Sequence, residues 1–91
     1  MRESTEIKKI CNKEITKMRE VLDSIKIVDE KSLEIYNLAL SYYTDSKYFY
    51  KKKDYLRSFE AIIISWAYID VGLHLKLFEI PEKLKIYFTI E

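Results

Sequence analysis

The stretch from Tyr36 to Phe78 limits the possible folds more than any other. Two runs of aromatic and aliphatic residues at helical spacing are separated there by Lys51-Lys52-Lys53-Asp54. Lysines suit the negative C-terminus of one helix, and Asp54 is a good N-cap for the next. A connection this short forces the second helix to return antiparallel to the first. The spacing therefore predicts a helical hairpin, with helix 2 over about 32–52 and helix 3 over about 54–77.

Helix 2 carries Ile35, Leu38, Ala39, Tyr42, Tyr43, Ser46, Phe49 and Tyr50 on one broad face, with Asp29 or Ser32 placed to cap it. Helix 3 carries two stripes. One is Tyr55, Phe59, Ile62, Ile63, Trp66, Ile69, Leu73 and Leu77, which puts Trp66 in the core. The other, roughly opposite at about 100° per residue, is Ala61, Ile64, Tyr68, Val71 and Leu75. An outer helix of a bundle needs a single stripe, so two imply cover on both sides. The cover on the second stripe is either another subunit or a part of this chain, namely helix 1 or the C-terminal tail. Gly72 costs helix stability of about 1 kcal/mol against Ala, and either a close approach by another backbone or a tolerated defect accounts for it.

Upstream, Ile7, Ile10, Cys11, Ile15, Met18, Val21, Leu22 and Ile25 make one amphipathic stripe, predicting helix 1 over about 5–25 with Ser4 or Thr5 as its cap. Cys11 on that stripe reads as a buried, inert thiol, and Glu14 as an edge residue whose carboxylate reaches water. After Pro81, Leu84, Ile86, Phe88 and Ile90 alternate with polar residues, the two-residue period of a strand, and no other stretch has it. Pairing with its own copy in a second subunit, or lying extended over the bundle, would suit it; a short final helix is the alternative. The expected architecture is all-α: an antiparallel three-helix bundle built on a long helical hairpin, with a short extended tail over 82–91.

Composition narrows function mainly by exclusion. A chain of 91 residues makes one small domain, residues 1–91, and buries roughly 60–65% of its unfolded surface. One Gly and one Pro disfavour an all-β fold. A net charge of +1 gives no global pull toward nucleic acid or anionic membrane. A lone cysteine forms no internal disulfide, no signal peptide is visible, and the longest apolar run, Ala61 to Ile69, is too short to span a bilayer. A soluble cytoplasmic protein is expected, and the Lys- and Ile-rich, Gln-free composition leans toward a thermophile.

The hairpin resembles an uncharacterised archaeal family, domain of unknown function 357. The resemblance rests on Ala39 to Phe49, on Lys53-Asp54-Tyr55-Leu56-Arg57-Ser58-Phe59, on Tyr68-Ile69-Asp70-Val71-Gly72-Leu73 and on Leu77-Phe78. The family usually has Gly where this chain has Lys53, and Ala where it has Ser46, Ser58 and Ser65; the small size is kept. The resemblance implies a small helical bundle and no assigned activity. The hairpin also looks like a single tetratricopeptide-type unit, but no 34-residue repeat follows, and such arrays need about three units.

Reactive chemistry has little to build on. With one His and one Cys, a zinc site would need carboxylates or a second chain, Cys11 and His74 have no triad spacing, and the only Gly is Gly72, so no glycine-rich phosphate loop exists. Neither cofactor nor metal is expected, and no enzyme activity. An enzyme would have to use Asp70 with Tyr36 and His74. Asp45 and Asp70, the carboxylates in the family-like segments, fall roughly 13 Å apart along the hairpin, too far for a dyad within about 5.5 Å. Structural roles are expected instead, with Asp45 meeting Arg57 across the hairpin and Asp70 accepting from Tyr36 or Lys17. The tip mixes Lys47, Tyr50, Lys51, Lys52 and Lys53 with further aromatics, a mixture able to hold single-stranded nucleic acid, though a solvated helix end with core aromatics is the favoured reading. The leading expectation is a non-enzymatic helical interaction module that forms a homodimer through the second stripe of helix 3 or meets another protein. Nucleic-acid binding at the tip is the alternative.

Overall fold

Helix periodicity, end chemistry and one glycine together set the architecture. The structure, a computed structural model, describes residues 2–88. It contains α1 (Arg2–Ser24), β1 (Lys26–Ile27), a 3-10 turn (Glu30–Ser32), α2 (Leu33–Lys51), α3 (Tyr55–His74), β2 (Phe78–Glu79) and a C-terminal 3-10 segment (Glu82–Tyr87). The three helices pack as the antiparallel bundle expected from the sequence. The α1 stripe delivers Cys11, Ile15, Met18, Val21 and Leu22 to the core, where they meet Ala39 and Tyr43 of α2 and Ile62, Ile69 and Leu73 of α3.

The seam between α2 and α3 is built from small residues, which lets two backbones approach closely. Ser46 Oγ donates to the Ser58 carbonyl at 2.7 Å, and Ser58 Oγ donates back to the Ser46 carbonyl at 2.9 Å. Two turns further along, Ser65 Oγ donates to the Ala39 carbonyl at 2.7 Å. All three hydroxyls are buried. Each carbonyl has a second lone pair beyond its helical bond, so the serines are satisfied without opening either helix.

Both hairpin helices end the same way. Lys53 has φ 63° and Lys76 has φ 60°. At the end of α2, Asp54 N–H reaches the Phe49 carbonyl at 2.9 Å and Lys53 N–H the Tyr50 carbonyl at 3.0 Å. At the end of α3, Leu77 N–H reaches the Gly72 carbonyl at 2.8 Å and Lys76 N–H the Leu73 carbonyl at 3.1 Å. These are paired six-to-one and five-to-two bonds around a left-handed residue, the Schellman stop. Lys53 therefore sits in the left-handed conformation that favours glycine at such a stop. The second stop ends α3 at His74, three residues before the expected 77. Asp54 caps α3 as expected, its Oδ1 accepting from Arg57 N–H at 3.2 Å. Asp29 caps the 3-10 turn by accepting from Lys31 N–H at 2.9 Å, and Ser32, whose hydroxyl donates to the Asp29 carbonyl, makes no cap bond to α2. At the other end of the chain α1 already begins at Arg2, ahead of the expected 5.

Two expectations about strands are corrected. Over its described residues the tail is not a strand: residues 82–87 coil as 3-10, with Leu84 N–H bonded to the Pro81 carbonyl and Phe88 N–H to the Lys85 carbonyl, both at 3.0 Å. The alternation does not track burial, because Leu84 is 2% exposed while Ile86 is 83% exposed. Pro81, fixed at φ −57°, opens the turn. Ile90 and its neighbours 89–91 lie outside the described residues. The strand pairing occurs elsewhere: β1 and β2 are antiparallel, with Lys26 opposite Glu79 and Ile27 opposite Phe78. Two-residue strands are too short to show a period, so the sequence carries no signal for them.

That pairing explains Gly72. Phe78, held by β2, is buried against α3, and a Cβ on Gly72 would lie 2.2 Å from its ring. The close approach is by an aromatic side chain rather than another backbone.

Candidate functional site

At 100° per residue, Ile64, Val71 and Leu75 fall on the flank of α3 turned roughly opposite to Phe59 and Trp66. Neither α1 nor the C-terminal segment covers this outer flank. The three residues are 40%, 50% and 62% exposed. Ala61 and Tyr68, the other members of the stripe, turn toward α2: Ala61 is buried and Tyr68 stacks on Tyr42 at 5.9 Å. Leu38, one turn before Tyr42 on α2, is also exposed. The stripe is thus split, with its inner edge packed within the hairpin and its outer edge open.

The polar candidates find partners other than those expected. Arg57 goes to Asp54, Nε to Oδ2 at 3.6 Å, and lies over the Phe49 ring, while Asp45 stays exposed on α2. Tyr36 meets Phe78 edge-on at 6.4 Å instead of Asp70. Lys17 pairs with Glu14 at 2.9 Å, and Asp70 Oδ1 stands 3.5 Å from His74 Nε2, one turn along α3. Tyr36, Asp70 and His74 are therefore not assembled into one polar site. Glu14 is half-buried at the bundle edge, in line with its expected position.

At the hairpin tip, Lys51, Lys52 and Lys53 are exposed. Lys52 Nζ lies 5.6 Å from the Tyr48 ring centre and Lys47 Nζ 4.7 Å from that of Tyr43. Tyr50 packs edge-on against Tyr55 at 5.4 Å. The tip's rings are engaged by its own cations and by one another.

Cys11 is fully buried, and its thiol donates to the Tyr55 carbonyl at 3.2 Å. Burial pushes its pKa up, against smaller opposing hydrogen-bond effects from Ser58 and the backbone. A thiol disfavoured as thiolate and closed off from solvent has neither attribute of a reactive cysteine. Trp66 is half-buried rather than central, with Tyr87 and Phe88 against its ring. Among the described residues no helix is long and apolar enough to cross a membrane.

The fold can now be set beside known proteins. The family described as protein of unknown function, DUF357, matches residues 9–78. The chain belongs to the DUF357 family. A crystallised DUF357 protein from Archaeoglobus fulgidus has the same fold, with a TM-score of 0.76 at 26% identity over 86% of this chain and 97% of that one. No curated protein matches the chain. The DUF357 match ends at Phe78, the residue that packs on Gly72, so it takes in the hairpin and its stop but not the C-terminal 3-10 segment.

Sequence reading missed two features of this site region. The serine seam was visible only as small residues; hydroxyls at three positions where Ala suffices were the available clue. The role of the C-terminal segment as a wall beside Trp66 had no signal, since its aromatic residues match a strand period equally well.

Proposed function

We propose that the protein is a non-enzymatic, cytoplasmic helical module that self-associates as a homodimer through the outer flank of its hairpin. The observation that carries this reading is the exposure of Ile64, Val71 and Leu75 on one side of α3. Soluble monomers seldom present apolar patches beyond roughly 300–600 Å². Covering a few hundred Å² on each of two copies is worth on the order of 10–20 kcal/mol at about 25 cal/mol per Å². Association costs of roughly 4–15 kcal/mol leave a margin for a dimer. A two-fold axis would let the same flank serve both copies. The buried, unpaired Cys11 accords with a reducing compartment.

The test is sedimentation equilibrium across a concentration series, for the wild type and for an Ile64→Lys, Leu75→Glu double variant. Both side chains are exposed, so the variant keeps the monomer fold. The expected result is a wild-type dimer at tens of micromolar and a monomeric variant. A monomeric wild type at that concentration, or a dimer that survives both substitutions, overturns the reading.

A further inference from the structure

Two buried polar atoms on α3 make no hydrogen bond: the indole Nε1–H of Trp66, and Oδ1 of Asp70, which has only the ion-pair contact with His74 Nε2 at 3.5 Å. Folded proteins rarely leave such groups unpaired. They lie one helical turn apart, beside a groove of ≈ 350 Å³ between α1, α3 and the C-terminal segment. Glu14 and Lys17 of α1 line one side of it, and Tyr87 and Phe88 the other. His74, 3.5 Å from Asp70, supplies a charge only when protonated.

The segment that walls one side of this groove is held unevenly. Leu84 is its one buried side chain among residues 82–88. Beyond it, Lys85 and Ile86 are exposed. Tyr87 meets Trp66 edge-on at 6.0 Å, and the Phe88 ring lies 5.1 Å from that of Trp66. One exposed hydrogen bond, from Tyr87 Oη to Glu20 at 3.3 Å, ties the segment to α1. Lys17 Nζ lies over both the Trp66 and Tyr87 rings at 5.7 and 5.2 Å, and it keeps its partner Glu14 whether or not Tyr87 is there.

We propose that residues 85–88 form a strap that swings away from Trp66, hinged after Leu84, while the three-helix bundle stays folded. In the closed form the strap packs two rings against Trp66, whose buried indole N–H makes no hydrogen bond. In the open form it gives up the ring contacts and one solvent-exposed bond, and water satisfies the Trp66 indole N–H. The closed state thus forfeits what the open state recovers, which brings the two close in free energy. Opening bares the Trp66 ring and its N–H donor on α3, one turn from the Asp70 carboxylate. This device is on the α1 side of α3 and is independent of the outer flank.

The chain has one Trp, so its indole N–H is a single resonance. Hydrogen exchange of that proton is to be measured beside the amides of Ile62 and Ile69 in the full chain, across sub-denaturing urea. The expected result is indole exchange about tenfold or more faster than those core amides and nearly independent of urea, the sign of a small local opening. A Tyr87→Ala, Phe88→Ala variant is expected to speed indole exchange further and raise acrylamide quenching, with the core amides unchanged. Indole exchange that matches the core amides and rises with urea in parallel overturns the proposal, and this wild-type comparison decides even if the variant does not fold. Unchanged indole exchange in a folded variant overturns it as well.

Discussion

The two flanks of α3 are alike in sequence and opposite in fate. The inner flank places Ile62 and Ile69 at 0% exposure, against α1 and α2. The outer flank carries Ile64, Val71 and Leu75, aliphatic residues at the same helical spacing, and leaves them in water. The difference arises from counting helices. A hairpin has two sides, and α1 is one helix that lies along one of them. The C-terminal segment, which could have covered the other, turns at Pro81 and packs beside Trp66 on the side α1 already occupies. Apolar periodicity reports which faces want cover; the number and route of the remaining elements decide which face receives it.

The largest effect that sharpens this contrast comes from truncating one residue on each flank. Ile69→Ala is expected to cost about 2–5 kcal/mol, because a fully buried side chain leaves a cavity as well as losing transfer energy. Val71→Ala is expected to stay within about 0.5 kcal/mol when measured by urea unfolding at low micromolar concentration, where a dimer contributes least. Equal costs for the two would erase the distinction between the flanks. A cost for Val71→Ala that grows with protein concentration would instead place the outer flank in an interface.

Gly72 tests the inner side at finer scale, and the sign is diagnostic. At an unobstructed helical site Gly→Ala would stabilise by about 1 kcal/mol through propensity alone. Here a Cβ would meet the Phe78 ring at 2.2 Å, and that ring is 3% exposed with Tyr36 at its edge, so it has little room to withdraw. Gly72→Ala is expected to destabilise by about 1–3 kcal/mol, as overpacking does. Adding Phe78→Leu should recover part of that loss in a double-mutant cycle. Stabilisation by the single change would mean that Phe78 is not seated on Gly72.

These cases show what a single sequence made legible. The three helices, the antiparallel hairpin and the Asp54 cap followed from periodicity and end chemistry, which are local. The buried Cys11 followed from its place on the α1 stripe. What stayed hidden was non-local. The β1–β2 pairing joins residues about fifty apart in sequence and spans only two residues per strand, too few for a period. The tail's alternation was real in composition yet did not govern its backbone, because Pro81 and the Leu84 anchor chose a 3-10 turn. The polar candidates went to sequence-local partners, Arg57 to Asp54 and Lys17 to Glu14, where cross-helix pairs were expected. Short-range ion pairs need little ordering of long side chains, which favours them over longer reaches on an exposed surface. For the candidate interface, the stripe was legible; its division into a packed edge at Ala61 and Tyr68 and an open edge at Ile64, Val71 and Leu75 was not.

The smallest expected effect concerns the helix ends, and it calibrates the comparison of flanks because the ends belong to neither. Lys53 and Lys76 both hold left-handed backbone, at φ 63° and 60°, where a Cβ crowds the following carbonyl. Both are exposed, so neither side chain supplies packing that offsets this strain. Glycine fits that conformation without the clash but brings a more flexible unfolded chain, which removes part of the gain. Lys53→Gly and Lys76→Gly are each expected to stabilise by about 0.5–1 kcal/mol. The two sites are at opposite ends of α3, and their effects should add. Neither gain should vary with protein concentration, since no dimer contact is altered; the outer-flank changes should show such a dependence. Destabilisation by Lys53→Gly in chemical unfolding would mean that the lysine side chain contributes more to the turn than its backbone strain removes.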